Sequence, residues 1–413
     1  MANTLATPTW VMKEIARGFV NAITFVKNVN RTYDDAYVQA GAKVGDTVKA
    51  RLPQRFTVTD GQALQVQNLF DSTVPISLTN QKNIAFSYSS AQATTDLDDV
   101  RSRYVNPAAD HLAVAADVLA FANVYKDVYS AIGTPGAGPV SNALDYLKAG
   151  VKLDDLGCVQ EGRVAVLDQL AMATIANAST TLFNPAAVIS ENYTKGEFGR
   201  GQLGISEWFK DQNCPVHTTG TFTASTPLIN GASQTGSTLI TDGWASSAAT
   251  LNKGDIFTIA GVYTVNPLSH ESTGRLQQFV VTATTTSVGV NMATLPISPP
   301  IITSGALQTV SGSPADDAVI TVLGASSPTS GTLATTISKQ SMVFHPDAFA
   351  FVMADLFTPT AGCKVTPIRS KLWGISLRMV EQYQIGTDQN PSRLDMLIGA
   401  AAVQPRLAVR VYQ

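Results

Sequence analysis

Between residues 222 and 338 the chain almost stops using charge. Asp242, Lys253, Asp255, Glu271, Arg275, Asp316 and Asp317 are its only charged side chains, in a stretch dense in Ser and Thr and broken by Gly, Pro and Asn. Short apolar runs between such turn formers read as the strands of a small sandwich or barrel, expected here over 256–259, 262–265, 279–284 and 318–323. Charged, helix-compatible sequence returns at about Met342 and ends in an expected strand over 407–412. The all-β module is therefore read as an insertion within a parent domain.

At 413 residues the chain exceeds one ordinary core, and two or three domains of roughly 100–200 residues each are expected. Hydrophobic residues make up 45% and charged residues 14%, enough for packed cores but little for a solvated free surface. Much of that surface is expected to face other subunits. A formal net charge of -3 gives no general attraction to nucleic acid, so any DNA contact should be local or weak. Met1 to Trp10 lacks the layout of a secretory signal, which predicts folding in the cytoplasm. No apolar run of about 18 residues offers a membrane-spanning helix. Cys158, Cys214 and Cys363 are odd in number and widely spaced, against a disulfide framework.

Val11, Ile15, Phe19, Ala22, Ile23 and Val26 fall on one side of a helix and predict an amphipathic arm that docks on protein rather than membrane. From about 44 to 90 the period changes to two, as in Val48, Ala50 and Leu52 or Ile84, Phe86 and Tyr88. Asp60-Gly61 supplies a turn, with Phe56/Val58 and Leu64/Val66 as the arms of a long hairpin. Isolated ribbons are marginal in water, so this one needs a partner surface. Lys43, Lys49, Arg51, Arg55 and Lys82 are candidate contacts for acidic pairs of a neighbouring subunit, such as Asp34/Asp35, Asp98/Asp99, Asp154/Asp155 and Asp316/Asp317. The bland reading of those pairs is solvated turns or caps.

Asn106-Pro107 opens and Gly133 closes an expected helix of about 25 residues, with Asp110, Asp117 and Lys126 toward water. At 1.5 Å per residue it would span about 38 Å. A short helix over 141–149, an apolar run over 164–175 and a turn at Phe183-Asn184-Pro185 follow. Arg369, Lys371, Arg378, Arg393, Arg406 and Arg410 give the last third a basic excess, which suits either DNA or acidic neighbours.

Chemistry-bearing patterns are weak. Gly199-x-Gly201-x-x-Gly204 follows no buried strand, Cys214-x-x-His217 is half a zinc site with no second pair, and Gly204 to Trp208 lacks the second glycine of a nucleophile elbow. No catalytic, cofactor-binding or metal-binding residue is assigned, and no cofactor is expected.

Lys253-Gly254-Asp255-Ile256-Phe257-Thr258-Ile259-Ala260-Gly261-Val262, with Tyr263 and then Gln278-Phe279-Val280-Val281, resembles the inserted domain of coat proteins related to that of Salmonella phage P twenty-two. Lys253-Gly254-Asp255 makes a tight turn into a strand, and Ala260-Gly261 permits a sharp reversal before the next. The order of elements is similar to the Hong Kong ninety-seven-type capsid fold, an α+β architecture. On that resemblance residues 1–43 are the amino-terminal arm, 44–90 the extended loop, 91–133 a peripheral domain with its spine helix, and 134–221 the first part of an axial domain. Residues 222–338 are the inserted barrel and 339–413 the return. The resemblance implies self-assembly into pentamers and hexamers of an icosahedral shell, with scaffolding protein, a portal protein and packaged double-stranded DNA as partners. A β-rich phage tail or adhesive protein, and a carbohydrate-active enzyme with an accessory β module, are the alternative readings. The first would lack the arm, hairpin and spine order, and the second needs a paired-carboxylate cleft that no motif places.

Overall fold

The computed structural model describes residues 23–31, 47–58, 61–62, 66–69, 72–89, 106–140, 142–179, 203–244, 249–287, 291–327, 331–359, 362–370 and 375–413. The arm before Ile23, Lys43, Asp60, Leu64, Lys371, the pairs Asp34/Asp35 and Asp98/Asp99, and the 183–185 turn lie outside them. The chain divides into two compact units, Met1–Arg51 with Thr73–Phe121 and Phe349–Val403, and Leu52–Ser72 with Ala122–Ala348 and Gln404–Gln413. Among the described residues no helix is long and apolar enough to cross a membrane.

In the first unit the strand Gln389–Ala402 organises an antiparallel sheet. It pairs with Phe349–Ala354 at one end, with Ile375–Glu381 at the other, and with Asn80–Ser89 along its free side; Lys364–Ser370 continues beyond Ile375–Glu381. Leu394, Met396 and Ile398 are buried at period-two spacing with Leu377 beside them, and Asp395 between them is buried as well, so the strand is covered on both faces there. Residues 84–88 form the expected strand, but in this sheet rather than in the ribbon, because Asn80–Ser89 finds a full ladder of partners there. The ribbon itself consists of Thr47–Arg51 against Thr73–Ser77, with Val48, Ala50 and Ile76 facing inward.

Helix α1, Asn106–Val124, starts at the expected Asn-Pro pair. Its buried stripe is Ala108, Leu112, Ala113, Ala116, Ala120, Phe121 and Val124, at three- and four-residue steps, and the small side chains allow close approach. Asp117 corrects the sequence reading. It is fully buried and accepts the backbone N–H groups of Val26 at 2.8 Å and Phe25 at 3.4 Å, while Phe25 stacks on Phe121 at 4.3 Å. An aspartate on a helix reads as solvent-facing until distant backbone donors converge on it. The helix is also shorter than expected. It has 19 residues, then tightens into the 3-10 turn Tyr125–Asp127, and Val128 leaves with extended geometry. Ala131–Ile132 then pairs in parallel with Arg410–Val411. Those sheet bonds replace the further helical turns, and Gly133 follows a strand rather than closing a helix.

The second unit holds a sheet in the order Ala131–Ile132, Ala408–Tyr412, Ile337–Phe344, Val164–Leu167, Glu207–Lys210, with Val216–Thr218 pairing the start of Ile337–Phe344. All of Val164–Leu167 is buried, as a central strand should be. Helix α2, Ala143–Asp155, is capped by Asn142, whose side chain accepts the Leu144 N–H at 3.0 Å, and α3 is Gln169–Ser179. The charge-poor segment forms six antiparallel strands in the order Ile320–Val322, Ile256–Val265, Ser272–Val281, Ala293–Ile301, Gly236–Asp242, Leu228–Ile229. A bridge between Leu228 and Val319 links its two ends. Phe257, Ile259, Val262, Phe279, Val281, Leu239, Leu295 and Trp244 fill its core.

Ala260-Gly261 does not reverse the chain. Ile256–Val265 is one continuous strand, and Gly261 at φ +79° lies where the register shifts between Thr258 and Tyr263. A bulge satisfies the same glycine preference as a turn, and it resets the alternation so that both Ile259 and Val262 point inward.

Candidate assembly site

Lys253-Gly254-Asp255 forms a turn closed by the Asp255 N–H donating to the Asn252 carbonyl at 3.0 Å, with Gly254 at φ +103°. A Cβ on Gly254 would stand 3.0 Å from His217 Cε1, so glycine meets both a backbone and a packing demand. Asp255 is buried and accepts three N–H groups, from Asn252 at 2.7 Å, Gly220 at 2.9 Å and His217 Nε2 at 2.9 Å. The Tyr125 ring meets His217 edge-on at 5.9 Å. Arg410 is fully buried on the terminal strand, donates to the Gly254 carbonyl at 2.5 Å, and lies over the rings of Tyr125 and Tyr412 at 5.8 and 5.3 Å. Burial, opposed by Arg410, pushes the Tyr125 hydroxyl up to about 12.

Alongside, the Gln278 side-chain oxygen accepts from the Ala131 N–H at 2.8 Å and from Lys152 Nζ at 2.7 Å. Burial first, then the neighbouring Arg275, brings the Lys152 ammonium down to about 8. Arg275 pairs with Asp155, and Lys253 with Asp127 at 3.1 Å. Tyr129, Ala131, Leu156 and Tyr412 pack against Ile256, Val280 and Leu323 in one apolar cluster. The charge-poor segment is therefore fixed to the sheet that precedes and follows it by buried polar bonds set in apolar contact.

Residues 52–72 are built differently. The Leu52 N–H donates to the Ser72 carbonyl at 2.9 Å, and the Gln67 side chain clasps Thr57, accepting its N–H at 3.0 Å and donating to its carbonyl. Beyond those bonds Phe56, Val58, Val66 and Leu69 are 57%, 94%, 82% and 75% exposed. Phe56, Val58 and Val66 were expected on strands, yet among the described residues pairing stops at Arg51 and Thr73. With Phe56, Val58, Val66 and Leu69 left uncovered among the described residues, a two-stranded ladder gains too little to extend. Gly61 has φ +102° and open space around its Cα. Removing any one of these apolar side chains from water is worth about 1.5–3 kcal/mol, and the isolated chain gains little of it.

Lys49 and Arg51 are exposed on the ribbon strand and Lys82 on Asn80–Ser89, whereas Arg55 is half-buried. The structure does not gather these into one cluster. Lys253, Gly254 and Asp255 do converge on a single site, but Gly261 stands in open space in its bulge. His217, Arg410, Lys152 and Gln278 were missed as junction residues: Cys214/His217 was weighed as metal ligands, Gln278 stood only inside the resembling motif, and Arg410, read as facing DNA or acidic neighbours, is buried within the chain instead. Among the described residues no group of three or more metal-ligating side chains gathers. The Cys214 thiol is pushed up by burial and by Asp211 and Asp168. Asp154 and Asp155 pair within the chain, with Arg163 and Arg275, and Asp316 accepts the Gly231 N–H at 2.7 Å.

The family described as P22 coat protein, gene protein 5, matches residues 1–411. Among solved structures the chain is similar to one from Mycobacterium phage Che8, at 14% identity and a TM-score of 0.46 over 94% of this chain and 90% of that one. It is similar to the capsid of Ralstonia phage GP4 at 9% identity and a TM-score of 0.42, over 100% of this chain and 94% of the other. The CUS-3 coat protein I-domain aligns with 25% of this chain and 97% of its own length, at 27% identity and a TM-score of 0.19. No curated protein matches. With the family's pattern running through both compact units, the chain belongs to the P22 coat protein family: it is a major capsid protein of a phage virion, a structural subunit of the icosahedral shell and not an enzyme.

Proposed function

We propose that this subunit builds its shell as pentamers and hexamers in the Hong Kong ninety-seven-type arrangement, with residues 52–72 lying across an adjacent copy. The observation that carries this is the exposure of Phe56, Val58, Val66 and Leu69 on a segment held by few bonds of its own. Several large apolar side chains exposed along one short segment fit an interaction surface. In this reading residues 1–43 are the arm, 44–90 contain the extended loop, 91–133 the spine and 134–221 the axial domain. Residues 222–338 are an inserted barrel, supported by the bridge between Leu228 and Val319, and 339–413 are the return. Scaffolding protein and a portal direct closure in the bacterial cytoplasm, and packaged double-stranded DNA makes weak contacts, consistent with the formal net charge of -3. Many modest contacts per subunit allow misplaced copies to leave before the shell closes.

The test is the pair Val58→Lys with Val66→Lys. Both side chains are exposed, so the soluble subunit should unfold within about 0.5 kcal/mol of the parent. Shells scored by electron microscopy should disappear. Normal shells from the double variant would overturn the reading.

A further inference from the structure

Helix α2 is apolar on two faces. Ala143, Tyr146, Ala149, Gly150 and Leu153 are buried, while Leu144, Leu147 and Val151 are 53%, 43% and 38% exposed. At 3.6 residues per turn these three fall within an arc of about 60° and span about 10 Å along the axis, so they form one stripe. A helix with one covered face ordinarily turns charged and polar side chains to water. Here the stripe faces outward and charge flanks it. Asp145 pairs with exposed Lys148 at 2.7 Å near one end, and Asp154 stands one turn beyond Val151 at the other. Asp154 is exposed while its partner Arg163 is buried, so that end of the helix presents a carboxylate to solvent.

A segment that lies across an adjacent, identical copy needs a receiving surface, and that surface belongs to this same sequence. Contacts around a closed ring are heterologous, so the donating and receiving surfaces differ. The stripe matches the 52–72 segment in kind. Residues 47–58 carry Lys49, Arg51 and Arg55 and no carboxylate, and they end in exposed Phe56 and Val58. Cations beside apolar side chains thus meet an apolar stripe with carboxylates at its ends. The exposed pair Val216 and Ile337 suits the segment less, since the two strands that carry it hold Lys339 and no carboxylate.

We propose that the Leu144, Leu147 and Val151 stripe of α2 receives the 52–72 segment of a second copy of this chain, with Phe56 and Val58 on the stripe and the basic ribbon toward its carboxylates; the proposal rests on the assembly reading above. It assigns the other half of that contact, and it makes each subunit donor to one neighbour and receiver for the next.

The experiment uses the full-length chain with Cys363→Ser as background, because Cys158 and Cys214 are buried. Val58→Cys is placed in one preparation and Leu147→Cys in another, so that a disulfide between the two positions forms only between copies. Mixed shells treated with a mild thiol oxidant should yield a covalent dimer on a non-reducing gel. Mixed free subunits, and shells of either variant alone, should not. In parallel, Leu144→Lys with Val151→Lys should leave urea unfolding of the soluble subunit unchanged and slow assembly, followed by light scattering, at least tenfold. Mixed shells without the dimer would overturn the proposal, as would a shell structure with the stripe bare or covered by a scaffolding protein or by residues outside 52–72. If Val58→Lys with Val66→Lys abolishes shells while Leu144→Lys with Val151→Lys assembles at the wild-type rate, the receiving surface is wrong and the assembly reading stands; if neither pair matters, both fall.

Discussion

The turn at Lys253–Asp255 and the segment at 52–72 use their side chains in opposite ways. At the turn every oxygen of Asp255 is engaged, Arg410 is buried between two tyrosine rings, and apolar residues from both sides seal the contact. In the 52–72 segment the bonds are few and the apolar side chains face water. The first place meets its carboxylate and its apolar contacts within one chain. The second, in the assembly proposed above, is finished by another copy, and that reading separates what folds the subunit from what assembles it.

Asp255→Ala should give the largest effect on the subunit. It leaves the N–H groups of Asn252 and Gly220 and His217 Nε2 without their acceptor in a buried site, a loss of about 3–5 kcal/mol in urea unfolding of the soluble chain. A loss no larger than that of an exposed substitution would erase the contrast between the two regions.

Lys152 offers a smaller, pH-dependent test. The unfolded chain holds its proton up to the ordinary lysine value of 10.5, whereas the folded junction releases it at about 8. Between these values the unfolded state binds more protons, so this lysine's contribution to stability rises with pH. Buried tyrosines, raised above 10, and the raised thiols of Cys158 and Cys214 act in the opposite direction at high pH. The difference between wild type and Lys152→Met isolates the effect. Wild type should gain on the variant as pH rises from 8 to 10, and a flat or falling difference would mean that Lys152 is not held charged against burial.

The smallest effect is expected from Gln67→Ala. It removes the clasp on Thr57 in a largely exposed segment, so global unfolding should shift by less than about 1 kcal/mol. Protease cleavage within 52–69 should nonetheless accelerate, and an unchanged cleavage rate would show that the clasp does not order the segment.

How much of this was legible in the sequence depends on how far apart the partners lie. The charge-poor stretch, the Lys253–Asp255 turn and the start of α1 rest on neighbouring residues, and all three are found in the structure. Gly261 was recognised as conformationally special but was given a reversal, because a bulge and a turn ask the same thing of a glycine. The overlong helix has another cause. The apolar spacing continues through Tyr125 and Val128, and only the parallel pairing of Ala131–Ile132 with Arg410–Val411 ends it. Asp117 needed the backbone of Phe25 and Val26, and His217 needed Asp255; no local pattern announces such partners. The need to cover Phe56, Val58 and Val66 was legible, since an isolated ribbon is marginal in water, but their pairing as hairpin arms was expected and is not found among the described residues.

Hydrogen–deuterium exchange on the wild-type chain, before and after shell formation, tests the central claim most directly. Amides at 52–58 and 66–69 should exchange fast in the free subunit and become protected in the shell, while those at 254–256 stay protected in both. Protection of 52–58 and 66–69 in the free subunit equal to that in the shell, or none in either state, would contradict the division between a junction finished within the chain and a surface finished by its copies.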